Sequence, residues 1–121
     1  MDRTFVAIDV ETTGLEVGVD EIIEVAAVKF RGDEVLETFN QLVRPRHSLP
    51  LKITRLTGIS AEAVAAAPRF SEIAPDLVRF VKSYPLVGHS VGFDIGFLEY
   101  ALGDGTRIEQ GRYLDTLTIA R

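Results

Sequence analysis

Apolar and polar positions change rhythm several times along this chain, and each rhythm predicts an element. Phe5-Val6-Ala7-Ile8 is an apolar run that continues into Asp9-Val10-Glu11 and breaks at Thr12-Thr13-Gly14-Leu15. That is a strand delivering two carboxylates and then turning. Glu21 to Phe30, rich in Ile, Val and Phe, predicts a second strand, and Val35 to Val43 a third. Between them, Arg31-Gly32-Asp33-Glu34 carries the Gly-Asp pair of a tight hairpin. The chain therefore opens as a three-stranded antiparallel meander. Arg44-Pro45-Arg46 and Leu49-Pro50 then force an extended crossing, because proline fixes φ and restricts the residue before it.

Helical spacing follows. Leu51 to Leu56 predicts a short helix ending at Thr57-Gly58, and a second starts at Ile59 or Ser60 and runs to about Ala67. Phe70 to Lys82 predicts a longer one, since Phe70, Ile73, Ala74, Leu77, Val78 and Val81 build one apolar face. Pro85 to Gly88 reads as a short buried strand, and Ser90 stands where an N-cap belongs before a helix Val91 to Leu102. Asp104-Gly105 predicts a turn, Arg112 to Leu114 a last strand, and Asp115 the cap of a terminal helix. A meander followed by alternating helix and strand predicts an α/β fold with a mixed central sheet, occupying residues 1–121 as one domain. A terminal helix of about two turns is hard to stabilise alone. The expectation is the front portion of a larger domain.

Composition narrows the chemistry. At 121 residues, 46% hydrophobic, the chain is long enough for a real core. It has no cysteine, so disulfides and thiolate metal sites are excluded, and its two histidines, His47 and His89, form no zinc-ligand spacing. No stretch approaches transmembrane length, and a cytoplasmic location is the default expectation. The net charge of −5 argues against a protein that grips duplex DNA through many phosphates. It is compatible with an enzyme that handles one strand end through metal ions. Arg44, Arg46, Lys52 and Arg55 gather in mid-chain, as a contact to a phosphate backbone or as a solvated basic loop.

Strand side chains alternate between faces, so Asp9 and Glu11 project together. Like charges that close repel unless a cation sits between them, and hard divalent ions such as Mg²⁺ or Mn²⁺ suit oxygen ligands. The alternative is a solvated pair on an edge strand. The flanking apolar run points instead to a central strand, where unpaired charge is costly. A second carboxylate, Asp94, falls in the first turns of the helix after Ser90. It either complements the helix dipole or joins a site at the strand ends.

Asp9-Val10-Glu11-Thr12-Thr13-Gly14-Leu15 with His89-Ser90-Val91-Gly92-Phe93-Asp94 resembles the first two motifs of the DEDD exonucleases, nearest the DnaQ-like proofreading branch. Ile22 to Val28 and Leu56-Thr57-Gly58-Ile59 match that branch as well. The resemblance implies a ribonuclease H-like fold and 3′–5′ removal of nucleotides by two-metal hydrolysis. Asp9 would bridge both ions, Glu11 would hold the ion that activates water, and Asp94 would help hold the second. Thr12, Thr13, Gly14 and Leu15 would wrap the terminal nucleotide, Leu56 and Thr57 would line its base pocket, and Phe93 would stack or wedge against the next base. The implied partners are single-stranded DNA 3′ ends, with RNA as the other substrate, and a polymerase or helicase, fused or separate.

Two departures qualify the resemblance. Ser90 stands where the family usually has asparagine, which would weaken contacts to the scissile strand. The third motif, with the general base and fourth carboxylate, lies beyond the Leu114-Asp115-Thr116-Leu117 segment in the family, and the given sequence stops at Arg121. The expectation is low activity for these residues alone, since general-base help is worth roughly 10²–10⁴ in rate. A non-catalytic module that binds 3′ ends or tethers a polymerase is the rival. Apolar surface left by absent C-terminal helices would favour self-association.

Overall fold

The computed structural model describes residues 3–103 and the backbone of 113–115. Three strands come first: β1 (Thr4–Thr12), β2 (Ile22–Arg31) and β3 (Glu34–Leu42). Helices α1 (Leu51–Thr57), α2 (Ala61–Ala65) and α3 (Phe70–Val81) follow, then β4 (Leu86–Gly88), α4 (Val91–Leu102) and β5 (Tyr113–Asp115). The sheet order is β3-β2-β1-β4-β5. The β1–β2 and β2–β3 pairs are antiparallel, whereas β4 runs parallel to β1 and β5 parallel to β4. This is the expected mixed sheet with helices packed on it, and β1 is its central strand. The expected turn at Asp104-Gly105 and the helix after Asp115 lie outside the described residues.

Alternation along β1 builds the core. Val6, Ile8 and Val10 are buried and pack with Leu77 and Val81 of α3 and Val91 and Leu98 of α4. Each such side chain stabilises the fold by about 1.5–3 kcal/mol relative to exposure. Asp9 and Glu11 take the intervening positions. A register shift between Glu11 and Thr12 sets Glu11 opposite Glu24 but Thr12 opposite Ile22. Both Ile22 and Ile23 are buried at this irregularity, and Ile23 joins a second cluster with Ile53 of α1 and Val64 of α2. A bulge thus lets one strand feed two cores and ends the pairing beside the carboxylates.

Two helix starts differ in kind. Ser60 caps α2 as expected, its Oγ accepting from Ala63 N–H at 3.1 Å. Ser90 does not cap α4 in that manner. It sits at φ 60°, ψ 43°, and its side chain makes no cap hydrogen bond. A side-chain cap needs extended backbone at the N-cap, whereas here the chain reverses through a left-handed residue between β4 and α4. Asparagine tolerates that conformation better than serine, which gives a backbone reason for the residue the resembling family prefers.

Candidate functional site

The site is built at the end of the central strand. Asp9 is exposed and Glu11 half-buried, on the side of β1 opposite the core residues. Burial raises the Glu11 pKa above its ordinary value, and the carboxylates of Asp9 and then Glu24 push it further in the same direction. Glu24 therefore belongs to this charge cluster, which the sequence analysis missed. The signal was available: a β1–β2 pairing places Glu11 and Glu24 face to face.

Asp94 is positioned by a different route. A Cβ on Gly88 would lie 2.9 Å from the Ile8 carbonyl oxygen and 3.2 Å from Val91 Cβ. Only glycine lets β4 turn into α4 this tightly against β1, next to Asp9. Asp94 then falls in the first turn of α4, 3% exposed. Burial among Val91, Ile95 and Leu98 anchors its backbone firmly.

The turn after β1 is a hydrogen-bonded unit. Thr12 Oγ1 donates to Gly14 O at 2.5 Å. Thr13 N–H donates to Glu21 O, and Glu21 N–H donates back to Thr13 Oγ1, both at 2.9 Å. A Cβ on Gly14 would lie within 2.6 Å of the Asp20 carboxylate atoms. The closeness that requires glycine there is to Asp20 of the same loop. Thr57 Oγ1 likewise donates to Ile53 O at 2.8 Å and accepts from Ile59 N–H at 3.1 Å, fixing the end of α1. Leu15 and Leu56, by contrast, are 85% and 79% exposed, so their apolar surface is available to a ligand. Phe93 packs at the core margin, its ring 4.9 Å from that of Phe97.

Among the described residues, no group of three or more His, Cys, Asp and Glu side chains is gathered closely enough to hold a metal ion. The structure couples Asp9, Glu11 and Glu24 electrostatically but does not close a three-ligand site on Asp94. The donor set still fits a hard divalent ion. It consists of carboxylate oxygens on a central strand, where burial and then the charges of Asp9 and Glu24 disfavour ionised Glu11, a penalty that a cation would relieve.

Comparison with known proteins agrees with this geometry. Residues 6–121 match the RNase T exonuclease family model. A PolC-type DNA polymerase III from Clostridium perfringens (strain 13 / Type A) is 37% identical over 120 residues, covering 99% of this chain but 8% of that protein. The chain thus spans under a tenth of that curated relative. A structure of exonuclease X in complex with 5′ overhanging duplex DNA superposes with a TM-score of 0.74 at 26% identity, covering 97% of this chain and 62% of that one. An exonuclease I complex with SSB-Ct shares the fold, with a TM-score of 0.83 at 18% identity over 99% of this chain and 30% of that one. The chain belongs to the RNase T exonuclease family, as a domain of the DEDD 3′–5′ exonuclease type with a ribonuclease H-like fold.

Proposed function

We propose that this domain hydrolyses the terminal phosphodiester at single-stranded or frayed DNA 3′ ends, in proofreading or repair. The observation that carries the proposal is the gathering of Asp9, Glu11 and Glu24 at the end of the central strand, where burial and then the neighbouring carboxylates raise the Glu11 pKa. Asp9 and Glu11, with Asp94, would hold two divalent ions, Mg²⁺ or Mn²⁺. Such ions supply the positive charge that lets an oxygen nucleophile approach an anionic phosphodiester. Glu11 binds a cation in its ionised form, which burial and the neighbouring carboxylates disfavour, so a bound ion and the ionised carboxylate stabilise one another. Gly88 and the buried flank of Asp94 fix α4 against β1, which limits how far that carboxylate can drift. Leu15 and Leu56 offer apolar surface for the terminal base, and the partly exposed Phe93 ring for the next one. Stacking of this kind tolerates any base.

DNA is favoured over RNA by the polymerase relative. The same polymerase relative supports a polymerase as the fused or separate partner. Within residues 1–121, neither His47 nor His89 stands in the third-motif context, so low activity is expected from these residues alone. The lack of a closed three-ligand cluster among the described residues favours one second reading, a module that binds 3′ ends without cutting them. Digestion of a 5′-labelled single-stranded oligonucleotide with Mn²⁺, beside Asp9→Ala, separates the two. A slow ladder shortening from the 3′ end, absent in Asp9→Ala, supports the exonuclease. Binding without a ladder supports the module, and shortening from the 5′ end contradicts both.

A further inference from the structure

Away from the carboxylates, a cleft of about 810 Å³ opens between the crossing after β3, the start of α3 and the second half of α4. Arg44, Arg46 and Arg69 line it together with Phe70, Phe97 and Tyr100. Three arginine residues line one cleft in a chain of net charge −5. Two acidic residues also line it, and both are committed to structure. Asp20 accepts from Glu16 N–H at 3.0 Å and from Thr13 Oγ1 at 3.4 Å. Glu21 accepts from the backbone N–H groups of Arg46 and His47 at 2.7 and 3.1 Å, and its Oε2 lies 3.0 Å from His47 Nδ1. Arg69 Nη1 donates to Pro45 O at 3.2 Å. Arg44 and Arg46 are exposed and join no ion pair among the described residues.

The cleft is linked to the catalytic end in two ways. Phe93, Phe97 and Tyr100 recur at helical spacing on one side of α4, a span of about 10 Å at 1.5 Å per residue. Phe93 stands beside Asp94, whereas Tyr100 is 66% exposed in the cleft and packs 3.5 Å from the position of a Cβ on Gly18. Glu21 makes the second link: its carbonyl accepts from Thr13 N–H, its N–H donates to Thr13 Oγ1, and its carboxylate accepts from the Arg46 and His47 backbone. Phe97 is 3% exposed and belongs to the core, so Tyr100 is the ring offered in the cleft. An exposed ring beside arginines is the arrangement that holds a single nucleic-acid strand, with bases on rings and phosphates on guanidinium groups.

We propose that this cleft is a second binding site for the same strand, holding the nucleotides upstream of the 3′ end through Arg44, Arg46 and Tyr100. The site rests on the exonuclease reading above, and its test keeps the two apart. Binding of a 5′-labelled dodecanucleotide and of a dinucleotide is measured by anisotropy in Ca²⁺, and shortening of the dodecanucleotide in Mn²⁺. Arg44→Gln with Arg46→Gln should weaken dodecanucleotide binding about tenfold and flatten its salt dependence by about 0.7 in slope per lost phosphate contact. Tyr100→Ala should weaken it about fivefold or more. Dinucleotide affinity should not move. The pair Arg31→Gln with Arg79→Gln, exposed and outside the cleft, removes equal charge and should leave dodecanucleotide binding within twofold of wild type. Wild-type affinity in the cleft variants, or an equal loss in the control pair, overturns the second site. If Asp9→Ala still abolishes shortening in that case, the exonuclease reading stands. A wild-type chain that binds no dodecanucleotide overturns both.

Discussion

Glu11 and Glu21 stand at the two ends of one loop, yet their surroundings treat their charge in opposite ways. Glu11 is partly buried, and Asp9 and Glu24 repel its ionised form, so its pKa rises. Glu21 is also penalised by burial, but hydrogen bonds from the Arg46 N–H, the His47 ring and the His47 N–H outweigh that penalty, and its pKa falls. One carboxylate is held where burial and two neighbouring carboxylates oppose its charge. The other is fully used as a clamp on the segment after β3. The difference is the one expected between a carboxylate proposed to hold an ion and one used as a structural clamp. Repulsion left in place at the end of a central strand destabilises the fold, and a bound cation is what would relieve it.

The largest expected effect breaks the comparison on activity. Glu11→Gln should reduce metal-dependent shortening of an oligonucleotide by about a hundredfold or more, since a misplaced ion removes several kcal/mol of charge stabilisation. Glu21→Gln leaves that cluster intact, so hydrolysis per folded molecule should stay within a few fold of wild type. Rates normalised to folded protein test both. Next in size is stability. Glu21→Gln should lower unfolding free energy at neutral pH by about 1–2 kcal/mol, through loss of charge-assisted hydrogen bonds. Because the folded Glu21 pKa is depressed, its stabilisation is present above the ordinary value of 4.5 and is lost as pH falls through the lowered one. Denaturant midpoints of wild type and Glu21→Gln should therefore converge in acid.

Glu11 has the opposite sign and a smaller size. Its folded pKa is raised, so its relative contribution is most favourable in acid and is lost as pH rises through the raised value. Glu11→Gln should be slightly more stable than wild type at neutral pH and equal to it in acid. The difference is a fraction of a kcal/mol, given how far solvent screens this group. Thermal midpoints across pH, without divalent ions, measure it. The smallest effect belongs to His47→Ala. The His47 side chain is 84% exposed, so its loss should cost under about 0.5 kcal/mol, because both backbone donors to Glu21 remain.

How much of this was legible beforehand depends on the range of the interactions. Alternation placed Asp9 and Glu11 on one side of β1, and the flanking apolar run identified the strand as central. Helical spacing gave α3 within a residue of its ends, because it buries an apolar stripe, and α4 was legible from Ser90 and the apolar residues that follow it. Three features were not legible. The bulge at Glu11/Thr12 depends on pairing with β2 and leaves no local mark. Serine at position 90 fits an N-cap, and only the reversal between β4 and α4 shows why it is left-handed there instead. The cleft of Arg44, Arg46 and Tyr100 joins segments far apart in sequence, so mid-chain arginines alone did not distinguish a binding surface from a solvated loop.

The most direct test of the central claim is calorimetric titration of Mn²⁺ into wild type, Asp9→Ala, Glu11→Gln and Glu21→Gln at neutral pH. The account predicts saturable binding in wild type and in Glu21→Gln, and its loss in Asp9→Ala and Glu11→Gln. Equal binding by all four proteins, or loss in Glu21→Gln alone, would contradict it.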